Sequence, residues 1–186
     1  MAFPDEPSWA HGWWVQVPPT TIETHPTPVT GRYHRGMNYE LFMGEALAEA
    51  RQSAPGSGSA VGAIAVMNEA MVARGSNRTW ETGDPTAHAV VVTLREAARK
   101  LGTTRLSDVT IFTTLEPCPM CVGALLAADV AALVYAVPNP VEGAAGTVIQ
   151  LAQNPDLGRR IEVVSGIRRG EAEELTGTLD AVSSGA

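Results

Sequence analysis

The spacing of hydrophobic and polar positions changes several times along the chain, and each change predicts a new element. Apolar residues recur at near-helical spacing over residues 38–53, where Asn38 is suited to cap the N-terminus of a helix. The stretches AVGAIAVM (60–67) and AMVARG (70–75) are split by an Asn-Glu pair, which predicts two strands of a hairpin. The chain therefore opens its regular part with a helix and a hairpin.

From residue 86 onwards, helical and strand patterns alternate. Helices are predicted over 86–102 (ending near Gly102), 119–128, 146–153 (short) and 169–182, and strands over 109–114, 132–137 and 160–166. Strands that alternate with helices after an initial hairpin predict an α/β fold. We expect a three-layer α/β/α domain with a central, mixed, five-stranded sheet.

The first 36 residues have a different composition and define the predicted domain boundary. They contain three of the four tryptophans and six of the thirteen prolines, which exclude a regular element of any length. Residues 1–36 are predicted to be a Pro/Trp-rich leader, either flexible or an arm that docks on a partner subunit. Residues 37–183 are predicted to form the folded domain.

Composition favours one globular domain without a membrane segment. The chain has 186 residues, of which 45% are hydrophobic and 18% charged. No apolar run approaches ~18 residues and no secretory signal pattern is present, so a cytoplasmic location is expected. The net charge of −7 argues against strong non-specific binding of nucleic acid, although the pairs Arg159-Arg160 and Arg168-Arg169 could contact phosphate locally.

One histidine and two cysteines have the spacing of a catalytic zinc site. Cys118 and Cys121 form a Cys-x-x-Cys at a predicted helix start, and His88 lies 30 residues upstream, at the start of the preceding helix. Catalytic zinc takes three protein ligands and leaves a fourth position open, and Cys₂His is a known ligand set. A Cys-x-x-Cys alone is equally typical of redox pairs, so the upstream histidine makes the prediction of Zn²⁺ specific.

The motifs DPTAHA and LEPCPMC, with VGAIAV, LVYAV and GAAGT in the same order, resemble those of a known family. Over residues 38–180 the chain resembles bacterial tRNA adenosine deaminases of the zinc-dependent cytidine deaminase-like (CMP/dCMP-type) superfamily. The resemblance implies a cytidine-deaminase-like fold and the zinc ligands His88, Cys118 and Cys121. It also implies that Asn77 hydrogen-bonds the base, that Val61 lines the floor of the base pocket and that Ala89 offers a backbone contact near the metal.

The chain departs from the family pattern at the position of the catalytic residue. Two residues after the histidine, the family carries the glutamate that shuttles protons, and here that residue is Val90. Glu116 is expected to support the backbone at the start of the helix and not to take over the role of the missing glutamate. The segment 135–139 stands where the family usually carries an Arg-Asp near the RNA, and the C-terminal segment is acidic rather than basic.

Three hypotheses follow for the function. The first is a zinc-dependent hydrolytic deaminase of the tRNA adenosine-to-inosine type that binds a tRNA anticodon loop and is inactive or strongly impaired because of Val90. The second is a deaminase of a free nucleobase or nucleoside, of the guanine, cytosine or adenine type. The third is a pseudoenzyme that binds RNA or pairs with an active subunit. A homodimer is also expected, because the apolar helix at 119–128 has few polar residues on any face.

Overall fold

The computed structural model of this protein describes residues 36–53 and 60–176, so the predicted leader lies outside the described residues. The elements in chain order are α1 (Tyr39–Ala50), β1 (Gly62–Met67), β2 (Ala70–Ser76), α2 (Thr79–Thr82), α3 (Ala89–Leu101), β3 (Thr110–Leu115), α4 (Pro119–Ala127), β4 (Ala132–Val137), a 3₁₀ turn (Pro155–Leu157), β5 (Glu162–Ser165) and α5 (Arg169–Thr176).

The five strands form one mixed sheet in the order β2-β1-β3-β4-β5. β1 is antiparallel to both β2 and β3, whereas β3, β4 and β5 are mutually parallel. Each pair of consecutive parallel strands is joined by a crossover connection, and α4 provides the one between β3 and β4. The predicted mixed five-stranded sheet is confirmed.

Helices cover both faces of the sheet and divide the core into two parts. Phe112 of β3 and Val134 of β4 point towards α1 and α5, where they pack with Met43 and Leu47. On the opposite face, residues of α3 and α4 pack against the alternate strand positions, such as Ile111. This alternation of side chains along buried strands produces the predicted three layers.

The element boundaries follow from local chemistry that the sequence displays. The Asn38 side chain accepts a hydrogen bond of 3.0 Å from the backbone N–H of Leu41 and caps α1 as predicted. Asn68 and Glu69 both adopt positive φ angles, of 51° and 59°, which suit the tight turn of the hairpin. Gly102 ends α3 in the left-handed conformation at φ 67°.

The short helix predicted over residues 146–153 is wrong. This segment folds back on the preceding loop instead, with a bridge between Ala145 and Gln150 and a hydrogen bond from the Leu151 N–H to the Ala144 carbonyl. Gly146, at φ 138°, supplies a conformation that a helix does not use. Ala152 is buried and Leu151 is half-buried, whereas Val148 and Ile149 are 47% and 43% exposed, so these apolar residues do not form the buried face of a helix. The closing helix is confirmed over Arg169–Thr176, and the rest of its predicted range lies outside the described residues.

None of the helices in the described residues is long and apolar enough to cross a membrane.

The close approach of α1 to β1 depends on a residue without a side chain. A Cβ atom at Gly62 would overlap the Ala46 carbonyl oxygen and the Ala50 nitrogen, both backbone atoms of α1. The helix can therefore reach the sheet only because this position is glycine. At Gly170 in α5, by contrast, a Cβ atom would meet no atom within 4 Å.

We predict that Gly62→Ala lowers the free energy of unfolding by about 1–3 kcal/mol, because α1 must move away from the sheet. The matched change Gly170→Ala should leave it unchanged or raise it slightly, since alanine favours a helix. Chemical denaturation of the two variants measures the difference. Equal stability of both variants would show that α1 does not pack on the sheet as described.

Candidate functional site

His88 stands at the N-cap of α3, and the preceding DPTA segment fixes its position. The Asp84 carboxylate accepts hydrogen bonds from the Thr86 backbone N–H (2.8 Å) and from the Thr86 hydroxyl (2.6 Å), which forms a tight turn before the helix. These two hydrogen bonds also hold the pKa of Asp84 below its usual range. The His88 carbonyl accepts the first helical hydrogen bond of α3, from the Val92 N–H. The DPTA turn therefore fixes the position of His88 at the start of α3.

Cys118 and Cys121 occupy the corresponding place at the start of α4. Cys118 is the N-cap, Pro119 takes the first helical position, and Cys121 follows within the first turn. The two cysteines are 6% and 2% exposed. The starts of α3 and α4 thus converge, as the sequence predicts.

The distances among the three ligand atoms fit a tetrahedral metal. The His88 Nδ1 atom lies 3.5 Å from the Cys118 sulfur and 3.6 Å from the Cys121 sulfur, and all three atoms lie within 4.8 Å of one another. Zinc bonds of ~2.3 Å to sulfur and ~2.0 Å to nitrogen at tetrahedral angles place those atoms ~3.5 Å apart. The donor set and its spacing fit zinc.

The two thiols have opposite protonation tendencies. A hydrogen bond from the Cys121 thiol lowers the pKa of Cys118 to about 5, against the raising effect of burial. The same hydrogen bond, together with burial, raises the pKa of Cys121. A metal ion binds both groups as thiolates. Its binding would therefore displace the proton that the two sulfur atoms share.

A small cavity of about 150 Å³ opens beside these three residues. Val61, Asn77 and Ala89, which the family resemblance assigns to the base pocket, all line it. The Asn77 backbone N–H binds the Val61 carbonyl at 3.0 Å, so the ends of β1 and β2 hold the two residues side by side. Their location fits the predicted contacts with a base, which stay a prediction.

Val90 also lines the cavity and is only 3% exposed. It lies in the first turn of α3, two residues after His88. The position expected to carry the proton-shuttling carboxylate therefore faces the cavity but presents only methyl groups.

Glu116 cannot supply this carboxylate, because its oxygens are already engaged. It is 1% exposed and accepts backbone hydrogen bonds from Asn139 (3.0 Å), Ala145 (2.9 Å) and Thr147 (3.1 Å). A Cβ atom at Gly143 would overlap one of its oxygens, so the loop closes tightly around it. Glu116 supports the backbone here, as expected from the sequence.

The loop 138–147 contributes two pocket residues that the sequence did not assign to the site. Asn139 lines the cavity and caps its own turn, since its side-chain oxygen accepts the N–H groups of Val141 (3.0 Å) and Glu142 (3.2 Å). Glu142 lines the cavity from an exposed position, and its charge helps to raise the pKa of Cys121 and acts against the larger lowering of the pKa of Cys118. The signals for them were the departure of the segment 135–139 from the family pattern and the distance of a few residues to the GAAGT motif.

Comparison with protein families gives a match over residues 37–137. The matching family is described as the cytidine and deoxycytidylate deaminase zinc-binding region. This match covers both motifs that carry His88, Cys118 and Cys121 and agrees with their geometry. The expected zinc cofactor is thereby confirmed.

Three relatives show similar sequences. The tRNA-specific adenosine deaminase of Bacillus subtilis is 37% identical over 142 residues, 76% of this chain and 86% of the relative. The guanine deaminase of Bacillus subtilis is 39% identical over 111 residues, 59% of this chain and 71% of the relative. The tRNA(Ile)-lysidine synthase of Deinococcus radiodurans is 48% identical over 134 residues, 72% of this chain, but the chain spans only 23% of that relative's length.

A solved structure from a study of A-to-I editing by tRNA:A34 deaminases has the same fold. It aligns with a TM-score of 0.70 and 35% identity, and covers 73% of this chain and 98% of its own. The predicted cytidine-deaminase-like fold is confirmed.

We predict one zinc ion per chain, because the ligand set formed by His88, Cys118 and Cys121 and the distances among its atoms fit zinc. His88→Ala and Cys121→Ala should each lower the zinc content well below one per chain. Asn77→Ala should retain the metal, since its side chain is not a ligand. Elemental analysis after gentle purification measures this, and full zinc occupancy of Cys121→Ala would contradict the ligand assignment.

Proposed function

Because the chain belongs to the cytidine and deoxycytidylate deaminase zinc-binding family, we propose that it is a zinc-dependent hydrolytic deaminase of the tRNA adenosine-to-inosine type. Its substrate is an adenosine presented by a tRNA anticodon loop. Its turnover is strongly impaired, because Val90 replaces the residue that moves protons. The three-donor cluster at the cavity, next to Asn77 and Val61, is the observation that carries this proposal.

The cavity residues divide into those that hold the metal and those that hold the base. His88, Cys118 and Cys121 would hold zinc. The bound zinc would act as a Lewis acid and lower the pKa of a water bound to it to near neutrality. The Asn77 amide binds the polar edge of the base, and its oxygen is held in place by the Thr79 N–H at 3.4 Å. The apolar walls formed by Val61 and Ala89 exclude water from the base faces.

Hydrolytic deamination also requires proton transfer to the ring nitrogen and to the departing amine. A valine can do neither, and the Glu116 carboxylate is occupied by three backbone N–H groups. Glu142 is the remaining carboxylate among the described residues that line the cavity, and it is solvent-exposed. The cavity therefore binds a base better than it transforms one.

We predict that Val90→Glu raises the rate of inosine formation by about 10²–10⁴-fold, the range typical of one general acid/base. Val90→Gln is the matched control, because it has the same shape as the glutamate variant but cannot transfer the proton. Inosine release from a tRNA anticodon stem-loop is the assay for all three forms.

Two outcomes would contradict this prediction. Enzyme-like turnover by the valine form would mean that another residue is the acid/base, and Glu142→Gln would then test the exposed carboxylate. Equal rates for Val90→Glu and Val90→Gln would mean that position 90 does not transfer protons.

The second candidate function is deamination of a free nucleobase or nucleoside. The similarity to guanine deaminase, the net charge of −7 and the segment 135–139, which stands where the family usually carries an Arg-Asp near the RNA, favour it. Ammonia release from adenine, guanine and cytosine, measured with the Val90→Glu variant beside the stem-loop, distinguishes the two substrates. Turnover of free bases without turnover of RNA would select this second function.

The third candidate function, a pseudoenzyme, is favoured by Val90 itself. Such a protein would keep the zinc and the base cavity but use them for binding or for pairing with an active subunit. Failure of Val90→Glu on every substrate, together with retained zinc and base binding, would select it.

We also propose a homodimer that forms through α4. The solvent side of this helix presents Pro119, Met120, Gly123 and Ala127, which are all apolar and exposed. Beside it, Val91, Leu94, Leu106 and alanines of α3 and α4 line an apolar groove of about 330 Å³. A contiguous apolar surface of this kind is typical of an interaction site.

We predict that the protein elutes as a dimer and that Gly123→Lys makes it a monomer of 19.6 kDa. A Cβ atom at Gly123 meets nothing within 4 Å in the single chain, so the substitution should not disturb the fold. Light scattering gives the mass, and circular dichroism checks the fold. A native mass near 19.6 kDa at micromolar concentrations would overturn the proposal.

A further inference from the structure

A second, larger groove lies between β2 and α3, outside the cavity. It has a volume of about 490 Å³ and is open to solvent along its length. Arg74 of β2, Arg78, and Arg95, Arg99 and Lys100 of α3 line it, together with Asp84 and Glu96. Neither the metal site nor the proposed chemistry uses any of these cations.

The groove is positive on a protein that is negative as a whole. Five cations and two carboxylates line it, and Glu49 and Glu81 pair with two of the cations at its rim, so the groove and rim together have a charge of +1, whereas the whole chain has a net charge of −7. Five of the thirteen lysines and arginines of the chain therefore lie along one groove. Such a local concentration of cations attracts polyanions even when the overall charge is unfavourable.

These cations have carboxylate partners, but the pairs are open to exchange. Arg95 lies 3.3 Å from Asp84, and Arg99 and Lys100 share the single carboxylate of Glu96. The side chains of Arg95 and Arg99 are 61% and 71% exposed. Arg99 holds Glu96 through two hydrogen bonds of 2.9 and 2.8 Å, whereas the Arg95 and Lys100 pairs are longer, at 3.3 and 3.5 Å. Exposed single-contact ion pairs contribute little stability, so a phosphate can replace the carboxylate most readily at Arg95 and Lys100.

Arg74 and Arg78 also face carboxylates, at the rim of the groove. Arg74 lies 3.5 Å from Glu49, and Arg78 lies 3.9 Å from Glu81. Arg78 and Glu81 are both more than half exposed, so this ion pair is also open to exchange, whereas the side chain of Glu49 is only 10% exposed and keeps Arg74 as its partner. A planar guanidinium binds a phosphate through two parallel hydrogen bonds, which a carboxylate at 3.9 Å does not offer.

The groove and the cavity share one wall. Asn77 and His88 face the cavity, whereas their chain neighbours Arg78 and Ala87 face the groove. A hydrogen bond of 2.9 Å from the Arg78 N–H to the Ala87 carbonyl joins the two segments. Arg78, the residue after Asn77, is therefore the first arginine of the groove that a nucleic-acid strand would meet when one of its bases lies in the cavity.

We propose that this groove binds the phosphodiester backbone of a single-stranded nucleic acid whose target base occupies the cavity. The inference rests on the proposed function and adds the path of the nucleotides that flank the base. Arg78 binds the phosphate next to the base, and Arg95 and Arg99 bind the phosphates that follow along α3. A free nucleobase has no phosphate and leaves the groove unused.

The test compares two variants of the full chain with the same net charge. The groove variant carries Arg78→Gln, Arg95→Gln and Arg99→Gln. The control carries Arg105→Gln, Arg159→Gln and Arg169→Gln, all outside the groove and exposed in their ion pairs with Asp129 and Glu173. Fluorescence anisotropy with a labelled tRNA anticodon stem-loop gives the affinity of each form as a function of salt.

The groove variant should bind the stem-loop at least 10-fold more weakly than the control at low salt. Its plot of log affinity against log salt should be shallower by about 0.7 for each phosphate that the variant no longer neutralises. Arg95→Lys combined with Arg99→Lys keeps the charge and should retain most of the affinity. Unchanged zinc content of the groove variant shows that the fold and the metal site are intact.

Equal affinity and equal salt dependence of the groove and control variants would overturn the proposal while leaving the deaminase function in place. If neither the native protein nor any of these variants binds a base in a zinc-dependent way, that result would contradict the proposed function itself. A single-stranded DNA of the same sequence is the second probe. The same groove-dependent loss of affinity with DNA would support binding through phosphate, because the phosphodiester is common to both nucleic acids.

Discussion

The carboxylate of Glu116 is the interaction on which the site depends. A buried carboxylate is costly unless it is fully hydrogen-bonded, and the N–H groups of Asn139, Ala145 and Thr147 meet this requirement. Because Glu116 lies two residues before Cys118, these bonds tie the loop that lines the cavity to the turn that carries Cys118 and Cys121. Removal of this side chain would leave the buried N–H groups of Asn139 and Ala145 without this partner, so the family motif is structural at this position and holds a metal ligand two residues later.

This division would let the site lose the proposed acid/base at position 90 and keep its shape. Val90 belongs to the apolar core that also contains Ala89, Val91 and Cys121, so its methyl groups pack against apolar neighbours on the side away from the cavity that it lines. A glutamate at the same place would have to be desolvated, and the cavity would have to provide a partner for it. Binding and chemistry are therefore separable in this fold, because the residues that shape the cavity are not the residue that moves protons.

Sequence reasoning reached the fold because the strands and helices carry clear periodicity and clear ends. Asn38, the Asn68-Glu69 turn and Gly102 mark boundaries by chemistry that acts over a few residues, and the structure has them where the sequence indicated. The converging positions of His88 and Cys118 could also be predicted, since both follow from ligand spacing at helix starts. The segment 146–153 is the exception, because two of its apolar residues, Val148 and Ile149, are exposed on a loop, and a residue pattern does not show which apolar residues the fold buries.

The other residues that sequence reasoning missed share one property, which is that their neighbours are distant in the chain. Asn139 and Glu142 face the cavity only because Glu116, more than twenty residues earlier, holds their loop in place. The positive groove likewise joins β2 to the outer face of α3, and its arginines appear in the sequence as an ordinary solvated helix face. Local pattern gives no information about such pairings until the sheet order is known.

The metal ligands come from two different helices, with the central strand β3 between them in the chain. An unfolded chain does not hold His88 and Cys118, 30 residues apart, in ligand geometry, so zinc binds the native state far better than the denatured ensemble. Free metal at a hundred times its dissociation constant would add about 2.7 kcal/mol to the free energy of unfolding. The cofactor is then also a folding ligand, and the thermal stability of this protein is a function of the concentration of free zinc around it.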